Sequence, residues 1–153
     1  MSEESKTKAV SVAAAVLNYK NRSSRMLYEK LLEKGIEPDD AEYAIERLRG
    51  FGYLNDLEYA SSAVRYGISK GWGKMRIRRK LSEYKLDEEI IEQALSDYVT
   101  DEDKLDRFIM QNVTDLSDRK EKKRITDKLA RRGYSWEEIG EAMRRCSMEY
   151  EEY

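Results

Sequence analysis

Apolar residues recur along this chain at helical spacing, and they do so three times over. Leu27 and Leu31 are four apart and share one helix face; Ile36 follows a break; Ala41, Ala44 and Ile45 line a second helix face. The same six apolar positions return 50 residues on as Ile77, Leu81, Leu86, Ile91, Ala94 and Leu95. They return a further 48 residues on as Ile125, Leu129, Tyr134, Ile139, Ala142 and Met143. Six positions holding one spacing in three places define an internal repeat. Each helix pair is preceded by another apolar face. These faces are Val10, Ala13, Ala14 and Leu17; then Tyr59, Ala60, Ala63, Val64 and Gly67; then Leu105, Phe108, Ile109 and Val113.

Start and stop signals agree with this division. Ser23, Asn55, Asp87, Thr100, Ser117 and Ser135 each precede a periodic run and are expected to cap it, with Glu58 and Glu138 completing capping boxes. Lys34-Gly35 and Arg132-Gly133 break the first and third pairs; the second has Tyr84-Lys85, and without a glycine its turn is expected to use another geometry. No segment alternates with strand periodicity. The expected fold is all-α: three tandem three-helix repeats at 1–52, 53–99 and 100–148, stacked as an elongated, curved array. Units this small bury too little surface alone. The first few residues are expected to fray, as is the end from Met148, with a disordered acidic tail at 149–153.

Composition narrows the reading. One proline and eight glycines in 153 residues suit a helical chain, and 40% hydrophobic residues allow a core. A lone cysteine, Cys146, permits no intrachain disulfide and points to a reducing compartment, with the thiol expected to be buried and inert. No secretory signal and no apolar run long enough to cross a bilayer are present, so the expected location is the cytoplasm, with no membrane partner.

Net charge is −2, but its distribution is uneven. Lys70, Lys74, Arg76, Arg78, Arg79 and Lys80 crowd one stretch, and Arg124, Lys128, Arg131 and Arg132 belong to another. With Ile77 and Leu81 buried, Arg76 and Arg79 are expected to project from the core on a shared face, facing a polyanion or an acidic partner. The later block reads equally as a binding surface or as a solvated face with internal pairs to Glu121 and Asp127. Trp72, between Gly71 and Gly73, either covers the helix junction or stacks on a base or partner surface. Tyr53 and Tyr59 are expected to fill space at a junction. Asp56 is expected to favour its own helix dipole without a partner.

Chemistry is sparse. There is no histidine, no phosphate loop and no cysteine cluster, so no enzyme activity, metal or cofactor is expected. The carboxylate pairs Asp39-Asp40 and Glu88-Glu89 sit in helix first turns, where the dipole accounts for them.

The junction Gly52-Tyr53-Leu54-Asn55-Asp56 with Tyr59-Ala60, then Lys70-Gly71-Trp72-Gly73 with Arg76-Ile77 and Leu81, resembles the RecX family. So does Arg131-Arg132-Gly133-Tyr134-Ser135 with Ile139. The resemblance covers essentially the whole chain. It implies a regulatory protein that binds the RecA–DNA filament and inhibits recombinase activity, ATP hydrolysis and coprotease function in DNA recombination, repair and the SOS response. The implied partners are the RecA filament and the DNA within it, met by a monomer. The missing glycine at Lys85 and the slightly acidic net charge depart from the family pattern. The alternative is a stand-alone nucleic-acid-binding module that uses its helix pairs as helix-turn-helix elements.

Overall fold

The computed structural model describes residues 2–151, the last three by backbone alone. The far end of the acidic tail expected at 149–153 therefore lies outside the described residues. In chain order the helices are α1 (Glu3–Tyr19), α2 (Ser24–Glu33), α3 (Pro38–Gly50), α4 (Asp56–Ser69), α5 (Lys74–Glu83), α6 (Glu88–Leu95), α7 (Glu102–Asn112), α8 (Arg119–Arg131) and α9 (Trp136–Glu151). The described residues contain no strand, and the chain is all-α.

The helix starts follow local hydrogen bonding, with corrections to the expected caps. Ser23 accepts from the Met26 N–H, Asn55 from the Glu58 N–H at 3.1 Å, and Ser135 and Glu138 form a reciprocal box. Asp87 occupies its N-cap position without a side-chain bond. The caps of α7 and α8 are Asp101 and Asp118, not Thr100 and Ser117. A carboxylate one residue nearer the helix wins because it also meets the positive end of the dipole. α1 is capped at once: the Ser2 and Ser5 side chains each accept the other's backbone N–H, so helix begins at Glu3 where fraying was expected.

The three repeat turns share one geometry. The Ile36, Leu86 and Tyr134 N–H groups reach back to the carbonyls of Leu31, Leu81 and Leu129, and the residue before each bonds one carbonyl further on. Gly35 and Gly133 take positive φ there, and so does Lys85 at φ 60°. The expectation of a different second turn is thus overturned: the helix-ending bond pattern outweighs the side-chain strain of the left-handed region. That strain is on the order of 1–2 kcal/mol for a residue other than glycine. Lys85→Gly is accordingly expected to stabilise the protein by about 0.5–1 kcal/mol, after loss of its exposed ion pair to Glu29. Urea unfolding reads this directly.

The chain forms two compact units, Met1–Val64 with Lys80–Ser96 and Arg65–Arg79 with Asp97–Tyr153. In the first, Ala9 and Ala13 of α1 pack with Leu27 and Leu31 of α2 and Ala41, Ala44 and Leu48 of α3. Fully buried alanines at these contacts leave room for helix backbones to approach closely. A polar clasp joins its elements: the Ser24 N–H and hydroxyl both donate to Asp56 Oδ1, at 2.8 and 3.0 Å, and the Ser23 hydroxyl donates to the Tyr84 carbonyl at 2.6 Å. Asp56 therefore serves the start of α2 rather than acting without a partner. In the second unit, Leu105 and Ile109 of α7 meet Ile125 and Leu129 of α8 and Ile139, Ala142 and Cys146 of α9. Arg145 grips Asp106 through two parallel bonds of 2.9 and 2.8 Å, which ties α9 to α7. Cys146 is fully buried, as expected of an inert thiol. Leu31, Leu81 and Leu129 are all buried at their equivalent repeat positions.

Candidate functional site

Within the second unit, the Lys70–Gly73 turn and the start of α5 are pinned by four hydrogen bonds. The Gly73 N–H donates to the Arg132 carbonyl at 2.7 Å and the Met75 N–H to the Gly133 carbonyl at 3.1 Å. The Tyr134 hydroxyl donates to the Gly71 carbonyl at 3.2 Å and the Tyr98 hydroxyl to the Trp72 carbonyl at 3.3 Å. The two turns touch backbone to backbone. A Cβ on Gly133 would lie 2.4 Å from Arg76 Cβ, and one on Gly73 would lie 2.4 Å from the Gly133 carbonyl. Only glycine permits this approach.

That clasp holds Trp72 in place. Its ring carries the Arg76 guanidinium on one side at 4.3 Å and meets the edge of Tyr66 at 5.7 Å, while Lys70 lies 5.5 Å from the Tyr66 ring. Arg132 and Lys128 both sit over Phe108, at 4.3 and 5.5 Å. Between these groups opens a cleft of about 340 Å³. Lys70, Lys104, Arg107 and Arg132 bring cations to it, Trp72, Tyr98, Phe108 and Tyr134 bring rings, and Asp101 brings a carboxylate. Burial pushes the Tyr98 hydroxyl up to about 12, so it stays protonated and keeps donating at any physiological pH. Burial also raises Tyr134, against the opposing effect of Arg132. For Glu138, burial is the largest single influence and acts upward. The Ser135 N–H, the Thr100 and Ser135 hydroxyls and Lys74 together outweigh it and hold the carboxyl below its usual range.

Four cations beside aromatic rings, with one carboxylate among the lining residues, make a surface that attracts anions and offers planar faces. The sequence-derived set divides on this basis. Lys70, Trp72 and Arg132 line the cleft, Arg76 stacks on Trp72, and Lys128 joins Arg132 over Phe108. Lys74 and Arg79 are exposed but do not line it, and Arg78 is half-buried and already engaged. Lys80 belongs to the other compact unit and pairs with Glu83 at 3.3 Å. Arg124 donates to the Asn112 carbonyl at 2.8 Å, and Arg131 lies with Arg124 and Lys120 along an exposed strip of α8.

Two expectations need correction. Arg76 does not simply project from the core, because its backbone and Cβ form the seat of Gly133 and its guanidinium covers Trp72. Tyr53 does not fill the junction: it is 71% exposed, 6.0 Å from the ring of Phe51, which is exposed too. Leu54 is buried in its stead, because one apolar side chain suffices at a turn that Gly52 closes with positive φ. Tyr59 and Ala60 are packed as expected, with Tyr59 edge-on to Tyr84 at 5.6 Å. Within the stretch from Gly52 to Ala60, Leu54 and Ala60 are buried, while Tyr53 and Asn55 stand at the surface. Sequence reasoning missed Tyr98, Lys104 and Arg107. Lys104 and Phe108 are four apart on α7, and that spacing is the one available signal.

Among the described residues no group of three or more histidine, cysteine, aspartate or glutamate side chains could hold a metal ion. No helix there is long and apolar enough to cross a membrane.

Comparison with known proteins gives concordant matches. Residues 9–48, 55–95 and 110–143 match the family descriptions "RecX, first three-helix domain", "second three-helix domain" and "third three-helix domain". A protein named regulatory protein RecX from Xanthomonas oryzae pv. oryzae is 36% identical over 142 residues, covering 86% of this chain and 84% of its own. One of the same name from Vibrio parahaemolyticus is 33% identical over 134 residues, covering 86% of each. The crystal structure of RecX from Lactobacillus salivarius superposes with a TM-score of 0.85 at 24% identity, over 95% of this chain and 98% of that one.

Proposed function

Since this chain belongs to the RecX family of regulatory proteins, we propose that it binds the RecA–DNA filament and inhibits recombinase activity, ATP hydrolysis and coprotease function. It does so as a cytoplasmic monomer, by binding rather than by catalysis and without a cofactor. In this reading each of the three repeats, with bounds at 1–52, 53–99 and 100–148, contributes one three-helix block. The observation that carries the reading is the cation-rimmed aromatic cleft of the second unit. Its cations meet DNA phosphates or acidic recombinase loops, and its rings meet bases or apolar side chains. The turn that presents Trp72 is held by backbone bonds, so little order has to be gained on binding.

The test uses Lys70→Glu with Lys104→Glu. Both side chains are exposed, both line the cleft, and neither is ion-paired among the described residues. Filament binding is expected to fall at least tenfold, about 1.4 kcal/mol, with inhibition of recombinase ATP hydrolysis falling in step and the melting curve unchanged. Lys8→Glu with Lys20→Glu, the same charge change on exposed positions in α1 and just past its end, is the control and is expected to bind like the parent. Parental inhibition by the Lys70/Lys104 variant would refute the site. Tight, steeply salt-dependent binding to bare DNA, with no added affinity when recombinase is present, would favour the stand-alone nucleic-acid module instead.

A further inference from the structure

The second unit carries another groove, of about 450 Å³, between α8 and α9, and it shares no lining residue with the cleft. Its floor is Ile139 and Met143, both buried against the unit's core. Its ends are Trp136 and Met148, which are 68% and 67% exposed. Two large apolar side chains standing in solvent at the ends of one apolar groove are the mark of an interaction surface. Both belong to the broad groove-facing stripe of α9, and the step of twelve positions from one to the other rises roughly 18 Å.

Gly140 sits in the middle of that stripe. A glycine inside a helix is unfavourable relative to alanine, so it calls for a reason. Packing among the described residues gives none: a Cβ there would meet only Arg144 Nη1, at 3.8 Å. The missing side chain instead leaves the α9 backbone open to close approach from outside. The rim adds charge. Lys122 stands on the α8 side and Arg144 on the α9 side; among the described residues neither is ion-paired and no carboxylate lines the groove.

We propose that this groove docks an acidic amphipathic helix of a partner protein. Three turns of helix match the length of the stripe. Apolar side chains at i, i+3 and i+7 fill the space between Trp136 and Met148, the helix backbone passes over Gly140, and carboxylates on its flanks meet Lys122 and Arg144. A basic or neutral helix would lose the rim contacts, and a bulkier residue at 140 would hold any helix away. The inference does not depend on the cleft.

The test is calorimetric titration of the full chain with a capped, helix-favouring peptide of about four turns. It carries leucines at i, i+3 and i+7 and glutamates on both flanks; a second peptide replaces every glutamate with lysine. The acidic peptide is expected to bind with a Kd on the order of 10 μM, and the lysine peptide at least tenfold more weakly. Gly140→Leu, and separately Lys122→Glu with Arg144→Glu, should each weaken the acidic peptide at least tenfold while filament binding stays parental and the melting temperature does not fall. Trp136→Ala should weaken it likewise, which keeps the test decisive if Gly140→Leu folds poorly. Equal binding of the two peptides, parental affinity in the variants, or no binding of the acidic peptide would overturn the proposal. Sedimentation showing a dimer that Trp136→Ala dissolves would overturn it too, by giving the groove to a second copy of the chain.

Discussion

Gly73→Ala is expected to destabilise the protein by about 3 kcal/mol or more. The new methyl would lie 2.4 Å from both the carbon and the oxygen of the Gly133 carbonyl and 2.6 Å from the Tyr134 nitrogen. These are backbone atoms, so no side-chain rotation relieves the contact. Overpacking a well-fitted site costs roughly 1–3 kcal/mol, and here relief also requires breaking the 2.7 Å bond from the Gly73 N–H to the Arg132 carbonyl. Loss of a bond that leaves its buried partners unmet adds roughly 1–3 kcal/mol. Urea unfolding gives the size, and cleft binding should fall with it, because Trp72 and Arg132 are placed by this clasp. Gly140→Ala is the internal contrast. Its Cβ meets nothing closer than 3.8 Å, so the same change should stabilise, by about 0.5–1 kcal/mol from helix propensity alone. Equal effects at the two positions would show that the backbone contact at Gly73 is not formed in solution.

Leu81→Ala, Leu31→Ala and Leu129→Ala are each expected to cost about 2–5 kcal/mol, the range for truncating a buried leucine. Leu31 and Leu81 have no exposed surface and Leu129 has 1%. The carbonyl of each residue also accepts the bond that closes its helix, from Ile36, Leu86 and Tyr134. The cavity therefore opens beside the turn and loosens it. Leu32→Ala, one residue along α2 and 37% exposed, should change stability by no more than about 0.5 kcal/mol. Thermal and urea melts of the four variants check the register. A parental melt for Leu81→Ala would show that the helix faces are wrongly drawn.

The sequence alone was enough for the helices and their faces. A helix is stabilised by contacts three and four residues apart, and its buried stripe repeats at that spacing, so Leu27, Leu31, Ile77, Leu81, Ile125 and Leu129 could be read as core directly. The boxed cap at Ser135 and the motif of the RecX family were legible for the same reason, being local strings of residues. Where local rules competed, reading was less sure. Thr100 and Ser117 each lost to a neighbouring aspartate, and Lys85 took a backbone conformation that residue type alone argues against.

The tertiary structure alone decided which residues meet. Asp56 finds Ser24 across 32 positions, and the Tyr134 hydroxyl finds the Gly71 carbonyl across 63. Gly73 leaves room for the Gly133 carbonyl, and Gly133, besides closing its own turn, leaves room for Arg76. Helix spacing points Arg76 off the Ile77 face, yet it covers Trp72 and seats Gly133. Tyr53 is aromatic and sits at a junction, yet the space went to Leu54. Periodicity specifies the face on which a side chain stands. What stands opposite that face depends on how elements distant in the chain come together, and no local spacing encodes it.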